Sequence, residues 1–270
     1  MSRKDWTNEK VFQRLLNNKT EKSYWKNIQE LRSRATEDIY KQAYILAKSD
    51  TEKHQKIGID ILAQLGYSPR LRQQETIDLY FELLNSIKSL EVLFSLLFGI
   101  SHNNDNLNDS QVSQLVRFKN HKDKNIRYSL THALNGINNG KSIQALIELT
   151  EDKYAPIRNW ATFGLGTLCY DTNEQIIEAL QKRTKDKHQE TKLEALVGLA
   201  ERNVTSIKGE IIKELKGGEF GTLLFEAITL LNDKDFIPYL EHNLKSAEKE
   251  NDINERWLND LKGCLNSLRS

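Results

Sequence analysis

A short pattern recurs along this chain at intervals of 31 and 34 residues, the spacings between Arg127, Arg158 and Lys192. Each basic residue is followed three positions on by a small or apolar residue and seven positions on by a leucine: Leu130 and Leu134, Ala161 and Leu165, Ala195 and Leu199. Self-similarity at this period marks stacked helical units, each of which buries its apolar face only against its neighbours. The repeat therefore predicts an all-α, continuous-core array.

The register within one unit gives the core face. In the segment 157–168, Ile157, Ala161, Gly164, Leu165 and Leu168 are three or four residues apart, so they share one side of a helix. Ala161 and Gly164 are small where neighbouring helices must approach closely, and Leu165 fills the space between hairpins. The same register runs through Leu130, Ala133 and Leu134, then Ala195, Gly198 and Leu199, and more loosely through Ala227, Leu230 and Leu231. An earlier rung is Ile57, Ile61 and Leu65. Only 3 prolines and 13 glycines punctuate the chain, and strand-like alternation is missing. About sixteen helices are expected, pairing into roughly eight hairpins, with motif helices starting near 123, 154 and 188 and turns that include Lys216 to Glu219. The longest loop is expected at 101–110, where Asn and Asp suit turn backbone.

Composition narrows the functional classes. Apolar residues make up 38% of the chain and charged residues 29%, and its apolar runs are too short and too interrupted to span a bilayer. No membrane association is expected. Two isolated cysteines, Cys169 and Cys264, and an N-terminus without an apolar signal core predict a cytoplasmic protein. A net charge of +1 gives no global field to hold a polyanion. The six histidines are scattered and no Cys-x-x-Cys occurs, so no metal site, cofactor or catalytic residue is expected.

A resemblance follows from the motifs. The stretches Asp123-Lys-Asn-Ile-Arg127 and Ala155-Pro-Ile-Arg158 resemble the inner-helix motif of HEAT repeats. The stretches Trp160-Ala-Thr-Phe-Gly-Leu-Gly166, Glu194-Ala-Leu-Val-Gly-Leu-Ala200 and Asp60-Ile-Leu-Ala-Gln-Leu-Gly66 resemble a bacterial group of HEAT-repeat (armadillo-type superhelix) proteins with no settled activity. The resemblance implies a right-handed α-α superhelix, or solenoid, of about eight HEAT-like hairpins, with the motif helices lining the concave side. It implies one repeat domain over 1–270, with an N-terminal cap at 1–35, repeats at 36–247 and a C-terminal cap at 248–270. Lys192 departs from the pattern by replacing arginine, and the fourth rung lacks the basic residue.

Candidate contacts come from the same helical arithmetic. Positions one and five after each basic residue point away from the predicted core: Tyr128 and His132, Asn159 and Phe163, Leu193 and Val197. With Trp160 and Arg158 they form the expected partner-binding set on the concave face, an apolar centre suited to a protein or peptide. Arg127, Arg158 and Lys192 are expected to pair with aspartates of neighbouring repeats, such as Asp123, Asp152 or Asp186. The function predicted is a non-catalytic scaffold or adaptor. An alternative is nucleic-acid binding, through basic clusters at 3–34, 117–127 and 182–192, with a glycosylase of the DNA-alkylation-repeat type as its catalytic form. Phe163 and Gly164 stand where that chemistry would want a carboxylate. The oligomeric state is not legible in one chain.

Overall fold

A computed structural model of the chain describes residues 2–218, 220–249 and 253–270. Glu219, at the end of one expected turn, lies outside the described residues, as do Met1 of the N-terminal cap and 250–252 of the C-terminal cap. Among the described residues there are sixteen α-helices and no strand. Contacts divide the chain into two compact units, Met1–Lys141 and Ser142–Ser270.

The first unit contains α1 (Asn8–Leu16), α2 (Glu21–Arg34), α3 (Glu37–Ala47), α4 (Glu52–Leu62), α5 (Gln73–Leu84), α6 (Leu90–Ser101), α7 (Asp109–Val116) and α8 (Lys124–Leu134). Each odd helix packs on the even helix that follows it, and the even helices stack in the order α2, α4, α6, α8. The helix starts are written locally. Thr7, Thr20 and Thr36 accept from backbone N–H groups of the first turns of α1, α2 and α3. Asn108 and Gln111 form a reciprocal capping box at α7.

The helix α9 (Gly140–Leu149) runs across the boundary into the second unit, which continues with α10 (Ala155–Gly166), α11 (Glu174–Arg183), α12 (Gln189–Glu201), α13 (Lys208–Gly217), α14 (Thr222–Leu231), α15 (Ile237–Ala247) and α16 (Glu255–Arg269). Here too the even helices stack, α10 on α12, α12 on α14 and α14 on α16. Helices α10 and α12 approach closely. A Cβ built on Gly166 would sit 3.1 Å from the Cα of Gly198, so glycine at both positions lets the two backbones touch.

The predicted core face is realised in most rungs. Ile57, Ile61, Leu65, Leu130, Ala133, Leu134, Ile157, Ala161, Leu165, Ala195 and Leu199 are all fully buried. Leu168 is a correction, being 38% exposed. The helix α10 ends at Gly166, so Leu168 lies beyond the helical register that would have turned it inward. In the loosest rung Ala227 is buried, but Ile228 takes the place expected of Leu230 and Leu231, which are only half-buried.

Candidate functional site

The even-numbered helices present different surfaces in the two units. In the second unit Arg158, Asn159, Trp160 and Phe163 lie half-buried on α10, with the Trp160 and Phe163 rings edge to face at 5.6 Å. Asn159 keeps its Oδ1 buried without a hydrogen-bond partner. Leu193 and Val197 are corrections: they are 3% and 1% exposed and present nothing to a partner. The helix α12 packs between α10 and α14 and also against α11, so positions that would face outward on a two-sided helix are covered there.

The basic positions serve the fold. Arg158 forks onto Asp186, with Nε and Nη2 each donating over 2.8 Å to its carboxylate oxygens, and Nη1 donating to the Asp152 carbonyl at 2.9 Å. Hydrogen bonding to Arg158 pulls the Asp186 carboxyl down to about 2. Lys192 makes the next step with Glu214 at 2.9 Å, in place of the aspartate that was expected. Arg183 reaches both Glu151 and Asp186. In the first unit Arg127 is 7% exposed and donates to the His121 carbonyl at 2.7 Å. The positive charge of the third cluster, 182–192, is thus partly spent within the second unit.

The first unit carries the more open site. Tyr128 and His132 lie one turn apart on α8 with ring centroids 4.7 Å apart, and His132 sits 4.9 Å from Phe98 of α6. Phe94 continues the row 4.9 Å from Phe98. This aromatic row borders a half-open cleft of about 690 Å³ between α2 and α6, floored by α4. Trp25 of α2, 39% exposed, forms part of the opposite wall. On the floor, Asp60 is 4% exposed and its carboxylate accepts from the Tyr24 hydroxyl at 2.6 Å and from Ser95. Burial pushes the Asp60 carboxyl up and the Tyr24 phenol up with it.

At the far end of this cleft a directional chain of hydrogen bonds runs from α2 to the turns that follow α4 and α6. Arg32 Nη1 donates to Gln64 Oε1 at 2.7 Å, which leaves the Gln64 amide nitrogen to meet His102 Nδ1 at 3.3 Å. The amide must then donate, so Nδ1 accepts and the proton of neutral His102 resides on Nε2. Burial pushes the His102 imidazole down to about 4, so the ring is neutral at ordinary pH.

Sequence reasoning named Tyr128 and His132 but missed Trp25, Arg32, Asp60, Phe94, Phe98 and His102. One signal for three of them was present. Subtracting the 34-residue interval from Tyr128 and His132 gives Phe94 and Phe98, and subtracting it again gives Asp60 and Gln64. The aromatic rung therefore starts on α6, before the first of the basic residues that were used to find it, and the same interval reaches the buried Asp60 on α4.

No family model matches the chain. Protein YibA of Escherichia coli K12 is 31% identical to it over 150 residues, 56% of this chain and 52% of YibA, and the strain O157:H7 protein matches to the same extent. The match thus spans about half the length of these curated relatives. The X-ray structure of E. coli YibA superposes with a TM-score of 0.73 at 22% identity, covering 98% of this chain and 93% of that one. An engineered protein superposes with a TM-score of 0.52 at 15% identity, covering 95% and 77%. These likenesses establish the fold as an α-solenoid of helical repeats, the architecture expected from the HEAT-like motifs. No helix among the described residues is long and apolar enough to cross a membrane.

Proposed function

We propose that this chain is a non-catalytic, cytoplasmic scaffold that binds a protein or peptide on the exposed face of its even-numbered helices. The observation that carries the reading is the aromatic row Phe94, Phe98, Tyr128 and His132, half-buried on successive turns of α6 and α8. Aromatic side chains held by their neighbours lose little entropy on contact and supply large apolar area, which is why they anchor interfaces. The Trp160 and Phe163 pair offers the second unit a smaller surface of the same kind. Nucleic-acid recognition has weaker support, because Arg158, Arg183 and Lys192 are already engaged by carboxylates.

The test begins with affinity purification of the native partner and continues with titration of that purified partner. Phe98→Ala combined with Tyr128→Ala should weaken binding by about ten-fold or more, the effect of removing two interface anchors. Ile45→Ala, which changes a 70% exposed side chain on an odd-numbered helix, should leave affinity unchanged. Equal affinity for the double variant and the wild type would overturn the proposal. Salt-steep binding to duplex DNA would favour the nucleic-acid reading instead.

A further inference from the structure

The cleft in the first unit contains a buried guanidinium that closes no ion pair among the described residues. Arg32 is 8% exposed, and its guanidinium donates to the Asp60 backbone carbonyl through Nε at 2.8 Å and through Nη2, and to Gln64 Oε1 through Nη1. All three bonds go to neutral oxygens. The Asp60 carboxylate is turned to Tyr24 and Ser95 and acts on the guanidinium only at longer range, without a direct ion pair. A guanidinium has five N–H groups, so two remain, on a residue that lines the cleft. Burying a cation without a directly paired counter-ion is unfavourable, which favours entry of an anion that can take up the remaining N–H groups.

The walls specify what accompanies that anion. The Trp25 ring lies 6.0 Å from the Arg32 guanidinium carbon, and Phe94 and Phe98 face the same space from α6. Lys56, 5.8 Å from the Tyr24 ring and 3.9 Å from Glu91, and Lys19 add positive charge to the lining, against Glu21 and the buried Asp60. A cationic guest would meet both Arg32 and Lys56, whereas a carboxylate would gain charge-assisted bonds of the forked kind that guanidinium groups favour. We infer that this cleft is a recognition pocket for a carboxylate carried beside an aromatic or aliphatic side chain on a segment of a protein partner. The assignment rests on the scaffold reading above and names the chemistry of the guest.

The test is calorimetric titration of the full chain with three N-acetylated, C-amidated tripeptides, Phe-Glu-Leu, Phe-Gln-Leu and Phe-Lys-Leu, and with 3-phenylpropionate. The glutamate peptide should bind about ten-fold or more tighter than the glutamine peptide, with the lysine peptide weakest. Arg32→Gln should erase the difference between the glutamate and glutamine peptides. Because Arg32 also ties α2 to α4, Trp25→Ala at the cleft rim provides a variant that spares those bonds, and it should weaken the glutamate and glutamine peptides alike. Comparable binding of the glutamine or lysine peptide, no binding of any peptide at millimolar concentration, or unchanged affinity in Trp25→Ala would each overturn the assignment. Binding of 3-phenylpropionate as tight as that of the glutamate peptide would overturn it too, by marking a small-molecule site. If a purified native partner were held equally by wild type, Trp25→Ala and Arg32→Gln but lost by the Phe98 and Tyr128 double variant, the pocket assignment would fail while the scaffold reading stood.

Discussion

Charge at single residues divides between what fastens the repeats and what is left unfavourable at the surface. The Arg158 fork on Asp186 is of the first kind, short, bidentate and largely buried. Glu194 on α12 is of the second kind. Burial, with repulsion from Glu226 and Glu190, pushes its carboxyl up to about 7 from an ordinary 4.5. The folded chain then holds a proton that the unfolded chain has released, so the stability contributed by this group declines as pH rises from 4.5 to 7 and the penalty is complete above 7. Glu194→Gln removes the ionising group. It should raise stability by about 1 kcal/mol at pH 8, a figure discounted for the partial solvent exposure of the side chain, and have little effect near pH 4.5. Urea unfolding at the two pH values measures this, and an equal gain at both would contradict it.

Among elements, the recurring device is a side chain that closes the C-terminus of the neighbouring helix in the stack. Arg202, at the end of α12, donates to the carbonyls of Leu165, Gly166 and Cys169 at the end of α10, and to Gly198 and Asp171. Asn103 does the same for α4 through the Ala63 carbonyl, and Asn104 for α8 through those of Ala133 and Asn135. A terminal carbonyl without an intrahelical partner is satisfied, and the positive guanidinium also suits the negative end of α10. Arg202→Met should therefore destabilise the fold by about 2 to 3 kcal/mol, through several lost bonds to a charged group, read as a lower urea midpoint at unchanged slope. A midpoint within error of the wild type would remove this capping role. The helix starts were legible from local chemistry, since α8, α10 and α12 begin at Lys124, Ala155 and Gln189, beside the expected 123, 154 and 188. The capping arginine was not, because its target carbonyls lie up to 37 positions away in the chain.

At the scale of the whole molecule, the solenoid was readable because its order is one-dimensional: each helix needs only its neighbours, and the repeat interval supplies them. The surface was less readable. Single-helix arithmetic placed Leu193 and Val197 outside, where packing of α12 by α10, α14 and α11 buries them. The same arithmetic turned Tyr128 and His132 away from the core, where they are half-buried, but stopped short of Phe94 and Phe98, because no basic residue introduces that rung. The cleft was invisible in sequence, since Arg32 of α2 and Gln64 and His102 of the turns after α4 and α6 are distant in the chain and only their hydrogen bonds join them. The central claim, a partner seated on the aromatic row of the even helices, is tested most directly by site-specific photo-crosslinking. A photoreactive phenylalanine placed at position 128 or 98 should capture the purified partner, and one placed at position 45 on α3 should not. Capture at position 45 with none at 98 or 128 would contradict the account.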